Sequence, residues 1–196
     1  MKLSKHFILF ALVIFTFSAC KTPRTVERVD PKEVIDLSGR WNDTDARLVA
    51  EEMVKDALNR PWRTRFETQN GKLPRIIVGT IVNRSSEHIA SETFINDIER
   101  ELLNSGLVKL AQGKDFREEV RKERGDQQEF ALPETAKKWK KELGADFMLQ
   151  GSINSIVDQY NKKKTVTYQV DLKLTDLETN DISWIGQKKI KKYIEN

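Results

Sequence analysis

The sequence predicts a single domain of the α/β (α+β) class: a mixed four- to five-stranded sheet flanked by helices, with a carboxyl-terminal antiparallel meander. Three observations predict it. The β-branched run Ile76–Val82 lies between two segments of helical period. Val166, Tyr168, Val170, Leu172 and Leu174 alternate strictly with Thr167, Gln169, Asp171 and Lys173, the pattern of a strand with one buried face. Two polar turns, Asn161–Lys164 and Glu178–Asp181, divide the carboxyl-terminal third into three strand-like runs. One-face alternation there implies helices on one side of the sheet and a partly exposed surface on the other.

The amino terminus reads differently. Lys2 and Lys5 precede the apolar run Phe7–Phe17, which closes on Ser18-Ala19-Cys20. That is a secretory signal over residues 1–19 ending in a lipobox, with Cys20 cleaved free and acylated, palmitate being the expected fatty acid. Small side chains before the cut let a peptidase reach extended backbone, and a thiol is required for the thioether to diacylglycerol. A bilayer-spanning helix would need about 20 apolar residues, more than this run supplies. An ordinary cleaved signal with a coincidental cysteine is the alternative. Residues 20–36, with Pro23, Pro31 and many charges, read as the lipidated cysteine and a flexible tether. Sixteen residues reach at most about 55 Å, and as a coil nearer ~20–25 Å. The globular domain then occupies residues 37–196.

Within it, a first helix is expected from Asn42 or Asp43 to just before Pro61, with Leu48, Val49, Met53, Ala57 and Leu58 on one face. Asp43 or Thr44 is the expected cap. Trp62, beside Pro61, is expected exposed in a polar loop. After strand Ile76–Val82, a helix carrying Ile89, Phe94, Ile95, Ile98, Leu102 and Leu103 stops at Gly106, which suits a left-handed terminus. Leu107–Ala111 is a short strand. A charged helix over Lys114–Arg124 turns Phe116 and Val120 inward and is broken by Gly125-Asp126-Gln127-Gln128. Pro133 opens a further helix to Leu143, carrying Ala136 and Trp139. Strands follow over Phe147–Val157, around Val166–Leu174, and from Ile182 to about Ile190.

Composition narrows the function. Loss of residues 1–19 lowers the formal charge from +4 to +2, because Lys2 and Lys5 leave with no acid. A near-balanced surface with 33% charged residues argues against nucleic acid as partner. Cys20 is the only cysteine, so no disulfide can form within the chain. His88 is the only histidine beyond the leader, too few for a zinc cluster and a poor basis for a Ser-His or Cys-His nucleophile. No phosphate-cradling glycine loop follows a strand: Gly113-Lys114 lacks the earlier glycine. The expectation is a chain without enzymatic activity, metal or cofactor.

Candidate binding residues are therefore surface groups. Arg84, Ser86 and His88 follow a strand end, where exposed polar residues often recognise a partner. Ser85 or Ser86 capping the next helix, with Glu87 or His88 in its first turn, is the alternative. Arg117, Arg121 and Arg124, followed by Gln127, can dock an acidic patch through guanidinium forks, or form a solvated helix face. Trp41, Trp139 and Trp184 read as core anchors, Trp62 as the aromatic most open to a partner. Lys188, Lys189, Lys191 and Lys192 can touch anionic lipid or glycan. The reading adopted is that they discourage aggregation of an edge strand.

Seven stretches in order resemble the penicillin-binding-protein activator LpoB family of envelope lipoproteins. They are Asp36–Asp45, Val78–Ile89, Phe94–Glu99, Glu123–Gln128, Gly144–Gly151, Tyr168–Leu172 and Trp184–Lys188. The resemblance implies a compact mixed sheet akin to the amino-terminal domain of TolB and to part of CsgG. It also implies an outer-membrane lipoprotein, held by a lipid on Cys20, whose monomeric domain faces the periplasm. Such a protein binds a bifunctional peptidoglycan synthase, a penicillin-binding protein, and stimulates it without catalysis of its own. The tether is short beside the long proline-rich one of the best-known member. A CsgG-like secretion component and a generic TolB-like interaction lipoprotein are the alternatives.

Overall fold

A computed structural model describes residues 25–132, 134–135 and 142–195. The expected leader, Cys20, and most of the helix from Pro133, with Ala136 and Trp139, lie outside them. The chain divides into two compact units at Glu33–Val34. In the first, the Glu33 amide donates to the Asp30 carbonyl at 2.9 Å and the Lys32 amide to Asp30 Oδ1 at 2.8 Å, a single turn.

The second unit begins with helix α1, Asp43–Leu58. Its cap is Asn42 rather than Asp43 or Thr44. Asn42 Oδ1 accepts the Asp45 amide and Asp45 Oδ2 accepts the Asn42 amide, both at 3.0 Å, a reciprocal capping box. Val49, Met53, Ala57 and Leu58 face the core, but Leu48 is 43% exposed, just beyond the apolar stripe. A second helix not expected from the sequence, α2, spans Pro61–Asn70. Pro61 starts it, since the ring fixes a helical φ and its missing N–H would have had no partner. Trp62 is thereby buried, 3% exposed, not looped out. Its indole N–H donates to the Ala57 carbonyl at 2.7 Å and its ring meets Phe147 edge-to-face.

Strand β1 covers Arg75–Asn83. Helix α3, Ser91–Asn104, starts after Ile89 and has no side-chain cap. The Ser85 and Ser86 groups expected there bond elsewhere. Gly106, at φ 67°, ends it as expected. Strand β2 is reduced to Lys109–Leu110. Helix α4, Lys114–Phe130, runs straight through Gly125-Asp126-Gln127-Gln128. One glycine costs a helix only about 1 kcal/mol, and the break does not occur. Phe116 and Val120 are exposed at 63% and 43% instead of packed inward. Leu143, expected on the helix from Pro133, is 75% exposed. Strands β3, Phe147–Tyr160, β4, Lys163–Asp176, and β5, Ile182–Glu195, complete the unit, each longer than the sequence suggests.

The five strands form one mixed sheet in the order β2-β1-β3-β4-β5. β1 runs parallel to β2 and β3, and β3-β4-β5 is the expected antiparallel meander. Asn161, at φ 52°, makes the tight β3–β4 turn. The β1–β3 register slips between Val78, which pairs with Leu149, and Ile81, which pairs with Gly151, so β1 holds one extra residue, a bulge at Gly79-Thr80; β4–β5 slips likewise between Leu174 and Thr175. Helices α1, α2 and α3 contribute to one core with Ile76, Leu149, Ile153, Val170 and Leu172 of the sheet. The opposite side of the sheet is mixed, with Ile156, Ile185 and Tyr193 exposed on it around a polar cluster. There Asp171 accepts side-chain amide donors from Asn154 at 3.3 Å, Gln169 at 2.9 Å and Gln187 at 2.9 Å. Trp62→Ala is expected to cost about 3–5 kcal/mol in urea unfolding. Leu48→Ala, on the exposed side of α1, should stay within about 0.5 kcal/mol.

Candidate functional site

Residues 83–88, after β1, form a loop fixed by its own hydrogen bonds. Asn83 Nδ2 donates to the Glu87 carbonyl at 2.8 Å, and Asn83 Oδ1 accepts the Ser85 amide at 2.9 Å and hydroxyl at 2.7 Å. The Arg84 amide prolongs the β1–β3 pairing by donating to the Ile153 carbonyl at 2.8 Å. The Ser86 amide reaches Ser155 Oγ at 3.2 Å. This spacing turns Arg84, Ser86 and His88 outward together, all three exposed, while Asn83, Ser85 and Glu87 are partly buried. The three candidates are therefore exposed on one loop whose backbone is tied to β3.

What holds the loop was not visible in the sequence. Tyr168, at the centre of β4 and fully buried, donates its hydroxyl to Glu87 Oε1 at 2.7 Å and accepts the Trp41 amide at 3.0 Å. The Trp41 amide also reaches Glu87 Oε2 at 3.2 Å. Burial, and then the Glu87 carboxylate, push the Tyr168 pKa above its ordinary value, so the phenol stays a donor. These partners lie too far apart in sequence for periodicity to pair them.

The basic helix gives a second, separate surface at the other end of β1. Arg75, Gln112, Arg117, Val120, Arg124 and Glu142 line an open groove of ≈ 400 Å³. The arginines of α4 are engaged within the chain. Arg121 makes a bidentate pair with Glu142, 3.0 Å to each oxygen, and also bonds Glu118. Arg124 reaches Glu142 at 3.4 Å, Arg117 donates twice to the Gln112 carbonyl, and Gln127 donates to Glu123. The bonds from Arg121 hold the Glu142 carboxyl below its usual range. The structure does not bring this cluster to the 83–88 loop, and Trp62 lies in the core away from both.

Two further features escaped the sequence reading. A groove of ≈ 650 Å³ runs between α1 and β5, lined by Glu52, Asp56, Asn59, Arg60 and Trp184–Gln187. The Trp184 indole covers Gly186 and donates to Asp56 Oδ2 at 2.9 Å. Burial tends to raise the Asp56 pKa, but bonds from Arg60 and Trp184 outweigh it and lower the value. Lys192 is 7% exposed, not a solvated edge lysine. Its ammonium meets Asp45 at 2.6 Å, Asp36 at 3.0 Å and the Arg40 carbonyl at 2.8 Å. Among the described residues, no cluster of three or more His, Cys, Asp or Glu is placed to hold a metal ion.

The sequence matches the family described as peptidoglycan-synthase activator LpoB over residues 45–190, from the capping box of α1 to β5. The chain belongs to the LpoB family. Solved structures that the chain is similar to include the LpoB C-terminal domain from Escherichia coli, 16% identical, covering 74% of this chain and 98% of that one, TM-score 0.42. The NMR structure of E. coli LpoB is 14% identical, covering 92% of this chain and 85% of that one, TM-score 0.43. Lipoprotein GNA1162 from Neisseria meningitidis is 14% identical, covering 61% of this chain and 83% of its own, TM-score 0.38. No curated protein sequence matches the chain. The match takes in the loop, both grooves and the buried Tyr168 of this LpoB-family domain.

Tyr168→Phe removes a donor from Glu87 and an acceptor from Trp41, and is expected to cost about 1–3 kcal/mol. Hydrogen exchange should quicken in residues 83–88 and stay unchanged in α4. Because its folded pKa is raised, the phenol's contribution is complete below the unfolded value of 10.0 and is lost as pH rises beyond it. Stability should therefore fall off less steeply above pH 10.0 in Tyr168→Phe than in the parent chain.

Proposed function

We propose that the chain is a lipid-anchored, non-enzymatic activator that binds a bifunctional peptidoglycan synthase, a penicillin-binding protein, from the periplasmic side of the outer membrane. The observation that carries this reading is the family match, which spans residues 45–190 and so nearly the whole folded unit. Cys20 carries the lipid, and residues 1–19 are the leader that brings the chain to the envelope.

The activator works by contact. A bound protein shifts an enzyme toward an active conformation only if it binds that conformation more tightly. The 83–88 loop suits this task, because the backbone that presents Arg84, Ser86 and His88 is already tied down by bonds within the domain and need not be ordered on docking. The α4 surface is the weaker candidate. A partner there would have to replace the Glu142 contacts of Arg121 and Arg124 before using their guanidiniums.

Two measurements test the reading. Affinity capture on the acylated chain from detergent-solubilised envelopes should enrich a penicillin-binding protein, and a capture that enriches none counts against it. With the synthase in hand, Arg84→Glu is expected to weaken binding roughly tenfold, about 1.4 kcal/mol. Arg117→Glu should have the smaller effect.

A further inference from the structure

The β3–β4 hairpin runs on past the core as an exposed tip. Residues 156–163 are all exposed, yet they include Ile156 at 65%, Val157 at 45% and Tyr160 at 78%. Tyr193 of β5, opposite Thr165 and beside the tip, is 58% exposed. Lys162, Lys163, Lys164 and Lys191 surround these apolar groups, and Asp158 and Glu195 are the acids among them. Lys163 lies 3.7 Å from Glu195, which also accepts the Tyr193 hydroxyl. Aromatic rings and aliphatic groups ringed by long-stemmed cations are the chemistry of a membrane interface. The rings sit at headgroup depth, and lysine stems lie along apolar surface while their ammoniums stay wet.

A second observation concerns where the amino-terminal segment joins the sheet. Asp36 is held by Lys192, and Gly39, at φ 65°, lies so close to Ile194 that a Cβ there would sit 2.5 Å from that side chain. Lys192 pairs with Val166 and Ile194 with Lys164, which in turn pair with Val157 and Gln159 of the hairpin. The amino-terminal segment of this unit therefore meets the sheet at the hairpin-tip end. Leu37, between Asp36 and Gly39, is 94% exposed. From that point the sequence leads back to Cys20.

We propose that the tip carrying Tyr160, Tyr193, Ile156 and Lys162–Lys164 docks on an anionic lipid surface, a reversible second membrane contact for the domain. The proposal rests on the lipid-anchored reading for its geometry, since a lipid on Cys20 keeps this end of the sheet near the bilayer and raises the effective concentration of the surface it meets. Docking then sets the domain's orientation. The tip points to the lipid, the 83–88 loop lies at that same end of the sheet beside Ser155 of β3 and so near the membrane, and the α4 groove, at the far end of β1, points away from it.

The test compares the full acylated chain in phosphatidylglycerol vesicles, in phosphatidylcholine vesicles and in detergent by hydrogen exchange. Exchange in residues 156–164 and 191–195 should slow on phosphatidylglycerol alone, with no change in β1. Each lysine near an anionic surface adds roughly fivefold to its attraction, so Lys162→Glu with Lys191→Glu should abolish the slowing while leaving β1 as it was. Equal exchange in all three settings overturns the proposal, as does slowing that the double variant retains. The mass of the amino-terminal peptide reports acylation separately. An unacylated chain would overturn the anchor reading, and phosphatidylglycerol vesicles added from solution would still decide the docking by the same exchange.

Discussion

The hydroxyl of Tyr168 joins parts of the chain that the sheet alone would leave apart. Donating to Glu87 and accepting from the Trp41 backbone, it fixes the loop after β1 and the segment leading into α1 to the middle of β4. Its ring meets Trp41 at 5.6 Å between centroids, and Trp41 meets Phe94 of α3 at 6.0 Å, both edge-to-face. A buried phenol without those partners would carry an unmet polar group, so the network and the packing around it stand or fall together. The exposed residues of the loop owe their fixed positions to this point in the core.

A second tie acts at the edge of the sheet. Lys192 projects inward from β5 to Asp45 of the capping box and to Asp36 ahead of it. Asp45 thus serves the start of a helix and the end of a strand at once. Breaking such a pair by removing one partner is generally costly, because the other charge stays buried and unmatched. The amino-terminal segment is held to the sheet by charge as well as by the Gly39–Ile194 approach, although its sequence reads as tether.

Much of the fold was legible because most of its strands and helices keep a clean period. The alternation over Val166–Leu174 gave β4 and its buried face directly, and the two polar turns gave the meander. Helix α2 was missed because Pro61 and the polar run after Trp62 look like a loop, whereas the burial of Trp62 against Phe147 depends on a strand far along the sequence. The inward turn expected of Phe116 and Val120 failed for a related reason: a helical period shows which residues share a face, not whether anything packs on it. At the site, exposure of Arg84, Ser86 and His88 agrees with their place after a strand end. Glu87, Tyr168 and Lys192 were not legible, since each acts through a partner more than eighty or a hundred positions away in no repeating pattern.

The bulge at Gly79-Thr80 gives this domain a frame in the sense that a coding sequence has one. Upstream of it Ile76 and Val78 face the core, and downstream the inward positions are Ile81 and Asn83, displaced by one from strict alternation. Asn83 is the residue that organises the loop. Loss of one residue at the bulge would restore strict alternation, with Ile81 still opposite Gly151 and Asn83 still inward opposite Ile153. A single-codon deletion there would remove the local bend of β1 without turning any residue of the recognition loop over. The bulge is thus the one place in β1 where the frame has slack, and the presented surface rests on the identities of Arg84, Ser86 and His88 rather than on that extra residue.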